Sequence, residues 1–232
     1  MKVTPEKIIS SIAHDLKYPL TSISGITEIL LNHWSDFTDD EKNEILKEIK
    51  ETSDSTLLLL NDLLDWSRRT TKSSGTEINI FDARNVIQSV IDSMSATFVR
   101  RNIMIENCME EGMIVSGDAH MAASVVRNLL SNAIKSCHNG GRISISAEQT
   151  GDFYKFCIRD NGIGMSKVQV DALFTGKSQP SHLNTNEPSG NGLGLVICHD
   201  FVEMNGGEMW AESVEGMGTC VYFTARIHSV PS

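Results

Sequence analysis

No apolar run in the sequence approaches the roughly 20 residues that a membrane-spanning helix needs. No basic-then-apolar leader opens it either, because residues 1–6 are polar and run straight into a helical pattern. A transmembrane segment within these residues is therefore excluded, and any membrane sensor is expected to lie upstream. The five cysteines (Cys108, Cys137, Cys157, Cys198 and Cys220) are odd in number and form no C-x-x-C pair. That excludes a disulfide-stapled scaffold and a zinc ribbon, and leaves reduced thiols of a cytoplasmic compartment as the expectation. Basic charge is scarce. Lys and Arg total 20 against 30 Asp and Glu, for a net charge of -10. Arg68-Arg69 and Arg100-Arg101 are only short basic clusters, so nucleic acid is not an expected partner. The phosphate-binding pattern G-x-x-x-x-G-K-[ST] is absent, which excludes a P-loop. The glycines near residue 190 follow no strand, which excludes a dinucleotide-binding turn of the Rossmann kind.

What is present divides at about residue 72. Thr4-Pro5-Glu6 reads as a helix start, with a capping hydroxyl, a proline at the first helical position and an acid near the positive end of the dipole. Ile9, Ile12, Leu16, Ile23, Ile26 and Leu30 then recur in steps of three and four, with Pro19 filling one slot. Pro19 predicts a bend. Residues 35–39 read as a break, and Thr38-Asp39-Asp40-Glu41 as a capping box. A second seam follows through Ile45, Ile49, Thr52, Thr56, Leu59, Leu63 and Trp66. Two seams joined by a short break predict an antiparallel helical hairpin. Leu57, Leu58, Leu60 and Leu64 leave apolar surface beyond that seam. A homodimeric four-helix bundle through residues 4–71 is the economical way to cover it.

Residues 72–76 read as a linker, and from 77 to 232 the pattern alternates between strands and helices. Strands are expected at 77–81, 103–105, 113–115, 142–148, 153–159, 208–213 and 219–227. Helices are expected from Asp82 to about Val99, from Asp118 to about Cys137, and from the 190s to about Asn205. Residues 175–191 are polar and without period, which predicts a mobile loop. The fold class is α+β, a helical hairpin followed by a sandwich of a mixed sheet with helices on one face.

The candidate chemistry begins at His14. If the seam occupies the heptad's first position, His14 points to solvent, and a lone surface histidine is ordinarily just solvated. Its neighbours change that reading. Asp15 is adjacent, and a carboxylate on one ring nitrogen fixes the tautomer and raises the basicity of the other. Asn128 and Asn132 are four residues apart and share a helix face, with Lys135 three further on. Neutral amide oxygens can ligate Mg²⁺ without adding repulsive charge, and a lysine meets phosphate as a point charge. Asp160 ends a strand just before Gly162 and Gly164, where a carboxylate can accept from an amine and glycines allow a close backbone approach. Gly190, Gly192 and Gly194 open a helix, where free amides suit polyphosphate.

These segments resemble the sensor histidine kinases of two-component systems. Residues 11–20, Ser-Ile-Ala-His-Asp-Leu-Lys-Tyr-Pro-Leu, resemble that family's H-box. Residues 128–135 resemble its N-box, 160–165 its G1 box, Leu173-Phe174 an abbreviated F-box, 190–195 its G2 box, and 216–219 its closing glycine turn. The order and rough spacing match across residues 4–227. The resemblance implies ATP with Mg²⁺ in a Bergerat nucleotide fold, with residues 175–189 as the ATP lid. It implies His14 as phosphoacceptor with Asp15 as base or orienter, Asn132 on the metal, and Asp160 on the adenine amine. Asn128, Lys135, Gly162, Gly164, Lys177, Gly190, Gly192, Gly194, Leu195 and Thr219 complete the nucleotide site. The implied partner is a response-regulator receiver domain docking near His14 and Tyr18. Tyr18 stands where the family's phosphatase reaction usually employs Thr or Asn, and Ser136-Cys137 where it more often has an aromatic and a small polar residue. Two rival readings are a Bergerat ATPase without kinase activity and a phosphotransfer or scaffold module whose nucleotide site is silent. The hairpin bearing His14-Asp15 argues against the first, and the intact Asp160 and glycines against the second.

Overall fold

The computed structural model describes residues 5–71, 78–174 and 193–228. The side chains of residues 5–15, 65, 68–71 and 193 lie outside that description, as do the expected linker at 72–76 and the expected loop at 175–191. The described elements fall into two compact units, a pair of helices and a sheet with its own helices.

In the first unit α1 (Pro5–Asn32) and α2 (Asp39–Thr71) pack on each other, joined through a short 3-10 turn at Trp34–Asp36. The turn falls inside the expected break. The capping box forms: the Thr38 amide donates to Glu41 Oε2 at 2.8 Å, and the Glu41 amide to Thr38 Oγ1 at 3.3 Å. Glu41 is thereby held below the usual carboxylate range, since the Thr38 amide and hydroxyl both donate to it. The seams are legible in burial. Leu30, Leu63 and Trp66 are buried, and Leu16, Ile23, Ile26, Ile45, Ile49, Thr52, Thr56 and Leu59 half-buried. Hydroxyls near the seams return to the preceding turn, as Thr56 Oγ1 does to the Thr52 carbonyl at 2.6 Å. Off the seam, Leu57, Leu58, Leu60 and Leu64 stay exposed, Leu57 at 58%. Pro19 lies within α1, which continues through it to Asn32.

The second unit runs β1 (Asn79–Asp82), α3 (Ala83–Ser93), α4 (Ser95–Arg100), β2 (Met104–Asn107), β3 (Ile114–Gly117), α5 (Ala119–Ser136), β4 (Arg142–Thr150), β5 (Phe153–Asp160), α6 (Lys167–Ala172), α7 (Leu193–Met204), β6 (Met209–Val214) and β7 (Gly218–Ile227). The sheet order is β1-β3-β7-β5-β4-β2, with β6 also paired to β7. Only β2 and β4 pair in parallel, so the sheet is mixed as expected. Alternation sends Ile143, Ile145, Phe156, Ile158 and Phe223 into the core with Val125, Leu129 and Leu130 of α5 and Ile197 and Phe201 of α7. Phe156 stacks on Phe223 with centroids 4.8 Å apart.

Two aspartates start helices as their sequence context suggests. Asp82 Oδ1 accepts from the amides of Arg84 and Asn85, and Asp118 Oδ1 from those of His120 and Met121. The Asp118 amide donates to Asn205 Oδ1 at 2.8 Å, which ties the end of α7 to the start of α5. One expected helix is two. The run from Asp82 to Val99 breaks at Met94, whose amide is shared between the carbonyls of Val90 and Ile91. The break lets Phe98 reach 3% exposure while Val99 stays 81% exposed, a choice that periodicity through one straight helix does not reveal. The helix α6, absent from the sequence reading, is a single closed motif: Ser166 and Gln169 form its capping box.

Candidate functional site

The site is built where β5 ends. Asp160 is its last residue and sits opposite Ile143 on β4 and Thr219 on β7. The strand phase that buries Phe156 and Ile158 also turns Asp160 inward, to 7% exposure. Its Oδ1 accepts from the Gly162 amide at 2.9 Å and the Thr219 amide at 3.3 Å. Among the described residues nothing meets Oδ2. Burial pushes the carboxyl above its usual range, and the two amides only partly oppose that. A buried carboxylate with one oxygen saturated by protein and one available can accept from a ligand N–H.

Around Asp160 three segments close on one another. The Ile163 amide donates to the Ser136 carbonyl at 3.0 Å, at the C-terminal end of α5. The Gly216 amide donates to the Ile163 carbonyl at 2.7 Å, from the turn between β6 and β7. Asn161 Oδ1 accepts from the Arg142 amide at 2.7 Å. Ser213 was not singled out in the sequence, yet its hydroxyl joins all sides: it accepts from the Met165 amide, donates to the Gly218 carbonyl and lies 2.9 Å from Thr219 Oγ1. A serine in an alternating strand carries no signal of that role. Cys137, at the end of α5, is pushed up by burial first and then by the Asp160 charge, and its sulfur lies 3.8 Å from Asn161 Oδ1.

The glycines have a reason within the protein itself. Gly162, Gly164 and Gly218 each make room for a neighbouring backbone oxygen. A Cβ on Gly162 would lie 2.2 Å from the Ser136 carbonyl oxygen, and one on Gly164 2.0 Å from that of Val214. Gly218 admits none because the Asp160 carbonyl oxygen would be 2.0 Å away, and its φ of +94° is itself a glycine conformation. Gly162→Ala is therefore expected to destabilise this unit by about 1–3 kcal/mol, read as a lower melting temperature. An unchanged melt would show that the loop can move off α5 at no cost.

The other candidates sit as follows. α5 carries Asn128, Asn132 and Lys135, the asparagines half-buried and Lys135 exposed in the last turn. Gly194 and Leu195 lie in the first turn of α7, half-buried. Thr219 is buried beside Asp160. His14 and Asp15 fall within α1, one turn before Pro19, but their side chains lie outside the described residues. Lys177, Gly190 and Gly192 lie outside them altogether. The structure thus brings together Asp160, Gly162, Gly164, Thr219 and the end of α5.

Comparison with known proteins bears on both units. The family described as "His Kinase A (phospho-acceptor) domain" matches residues 6–72, and "Histidine kinase-, DNA gyrase B-, and HSP90-like ATPase" matches residues 117–229. The sensor histidine kinase WalK of Bacillus subtilis is 27% identical over 221 residues, covering 94% of this chain and 36% of the relative. The sensor protein kinase WalK of Staphylococcus aureus is 29% identical over 223 residues, covering 94% and 52%. The chain spans between about a third and a half of the length of these curated relatives. Among solved structures, the Acinetobacter baumannii histidine kinase AdeS aligns with a TM-score of 0.67 at 20% identity, covering 92% of this chain and 97% of that one. Histidine kinase ThkA, solved in complex with response regulator protein TrrA, aligns with a TM-score of 0.65 at 19% identity, covering 94% and 60%. At these identities the structural likeness concerns the fold.

Proposed function

Because this chain belongs to the sensor histidine kinases of two-component systems, we propose that it transfers the γ-phosphoryl group of ATP to its own His14 and then to an aspartate of a response regulator. The nucleotide half is supported by Asp160, a buried carboxylate with Oδ1 held by two backbone amides; its Oδ2 is the proposed acceptor for the adenine amine. Asn128, Asn132 and Lys135 share α5, whose last carbonyls abut the Gly162 loop. Asn132 is the proposed Mg²⁺ ligand, Lys135 meets phosphate, and Lys177 with the amides of Gly190, Gly192, Gly194 and Leu195 completes the phosphate cradle. Bound Mg²⁺ neutralises phosphate charge and orients the chain of phosphates.

The transfer itself needs positioning more than covalent help. A ring nitrogen of neutral His14 attacks the γ-phosphorus with its lone pair. The bond to the bridging oxygen breaks, and ADP leaves with that electron pair. The phosphorylated imidazole sheds its ring proton to Asp15. The measurement that tests this reading is incubation with γ-labelled ATP and Mg²⁺. Label on the protein should be acid-labile and alkali-stable, as a phosphoramidate is, and chase onto a receiver domain. Acid-stable label, or none despite nucleotide binding, rejects it.

Residues 4–71 are proposed to form the homodimer, with residues 72–76 as the linker to a catalytic domain at 77–232. Leu57, Leu58, Leu60 and Leu64 support this, since they line α2 in the open while the seam beside them is covered. Light scattering should give twice the chain mass of 25.6 kDa. Leu57→Glu combined with Leu64→Glu should halve that value, and a wild-type monomer rejects the bundle.

A further inference from the structure

The sheet face turned away from the helical core carries side chains set out by strand register. Ser146, Cys157, Tyr222 and Trp210 form one row across β4, β5, β7 and β6, and Ser144, Arg159, Cys220 and Glu212 form the next. Cys157 and Cys220 are therefore diagonal neighbours on one face. Both are free thiols. Cys220 is 8% exposed and Cys157 half-buried, so solvent reaches the pair from the Cys157 side. Tyr222 stacks on Trp210 at 5.2 Å beside them, and Arg159 stands opposite Cys220 on the same face.

Diagonal positions on antiparallel strands lie about 7–8 Å apart, whereas a disulfide usually holds its Cα atoms about 4.4–6.8 Å apart. Direct closure would require β5 and β7 to shift against each other. Those strands pair over eight residues, from Phe153 opposite Arg226 to Asp160 opposite Thr219, which resists a shift. An ion set between the sulfurs needs no such movement. A linear, two-coordinate d¹⁰ cation takes two thiolates on opposite sides, and soft thiolate ligands select Cu(I) over hard cations. The geometry points to Cys157 and Cys220 as a two-thiolate site for a soft monovalent cation, Cu(I) in kind, on the outer face of the sheet. This reading is independent of the kinase assignment.

Binding is an exchange without oxidation. Each S–H gives its proton to solvent, and each sulfur gives an electron pair to the cation. The product carries one net negative charge, which Arg159 offsets. Burial first and then the neighbouring thiol push Cys157 up to about 11, so that thiol holds its proton near neutrality. Because binding releases thiol protons, affinity should rise with pH.

The test uses the 232-residue chain held anaerobically and titrated with Cu(I) against bathocuproine disulfonate, followed by alkylation and mass mapping. The expected result is one equivalent retained against the chelator, with Cys157 and Cys220 protected from alkylation and Cys108 modified. Cys157→Ser and Cys220→Ser should each weaken retention roughly tenfold or more, while Cys108→Ser leaves it unchanged. Protection of another pair, or wild type that fails to hold one equivalent, overturns the proposal without reliance on any variant's folding. Clean formation of a Cys157–Cys220 disulfide by glutathione disulfide, with the melting temperature unchanged, overturns it too, because the sulfurs would then close directly.

Discussion

Replacing His14 by Gln should remove about a thousandfold or more of the acid-labile label while leaving the affinity for a nucleotide analogue within about twofold. Glutamine keeps a polar, helix-compatible side chain but has no lone-pair nitrogen basic enough to attack phosphorus. His14 lies in α1, and Asp160, Gly162 and Thr219 belong to the other compact unit. The proposed acceptor and the Asp160 cluster therefore lie in different units, and loss of the His14 side chain should leave that cluster whole. Label that persists in His14→Gln would move the acceptor elsewhere, and loss of nucleotide binding with it would mean that α1 contributes to the nucleotide site. A label that vanishes with binding intact would leave Asp15 as the next residue to test, since a base there should affect rate and not acceptor identity.

Asp160→Asn should separate recognition from stability. Asn Oδ1 can still accept from the Gly162 and Thr219 amides, so the local fold survives. The second oxygen becomes an NH₂, a donor that would oppose the amine of the proposed adenine ligand, which is also a donor. Nucleotide affinity should fall about 100-fold or more. The ligand-free protein should nonetheless melt at the same or a higher temperature. Asp160 has a raised pKa in the folded state, so the folded chain holds that proton more tightly than the unfolded chain. Its contribution to stability is fully present below the usual value of 3.8 and is lost as pH rises through the higher folded value. At neutral pH the ionised group is a burden that Asn does not carry. The variant's advantage in melting temperature should thus be largest near pH 7 and vanish in acid. A neutral-pH melt well below wild type would show that the carboxylate charge, and not its acceptor oxygen, holds the loop at Gly162.

Much of the fold was legible because its signals are short. The heptad steps of Leu16, Ile23, Ile26 and Leu30 lie within single helices. The Thr38–Glu41 box and the Asp82 and Asp118 caps each close within three residues. The strands of β4 and β5 alternate because their two faces meet different surroundings. Asp160 and its glycines were legible as a strand end followed by a turn.

What remained hidden depends on residues far apart in the chain. Asp160 Oδ1 is saturated by an amide 59 residues away, and no local pattern reveals which oxygen is left for a ligand. Gly162 and Gly164 were legible as glycines that matter, but Ser136 and Val214 decide why, through backbone oxygens that only packing brings near. The break at Met94 arises because Phe98 is drawn into a core that other elements complete. Cys157 and Cys220 read as two unrelated thiols until the register of β5 on β7 sets them side by side. Periodicity and caps express forces within a turn or two of backbone and so are written in the sequence. Register, close approach and the division of hydrogen bonds express which distant surfaces meet, and that is settled only when the chain packs.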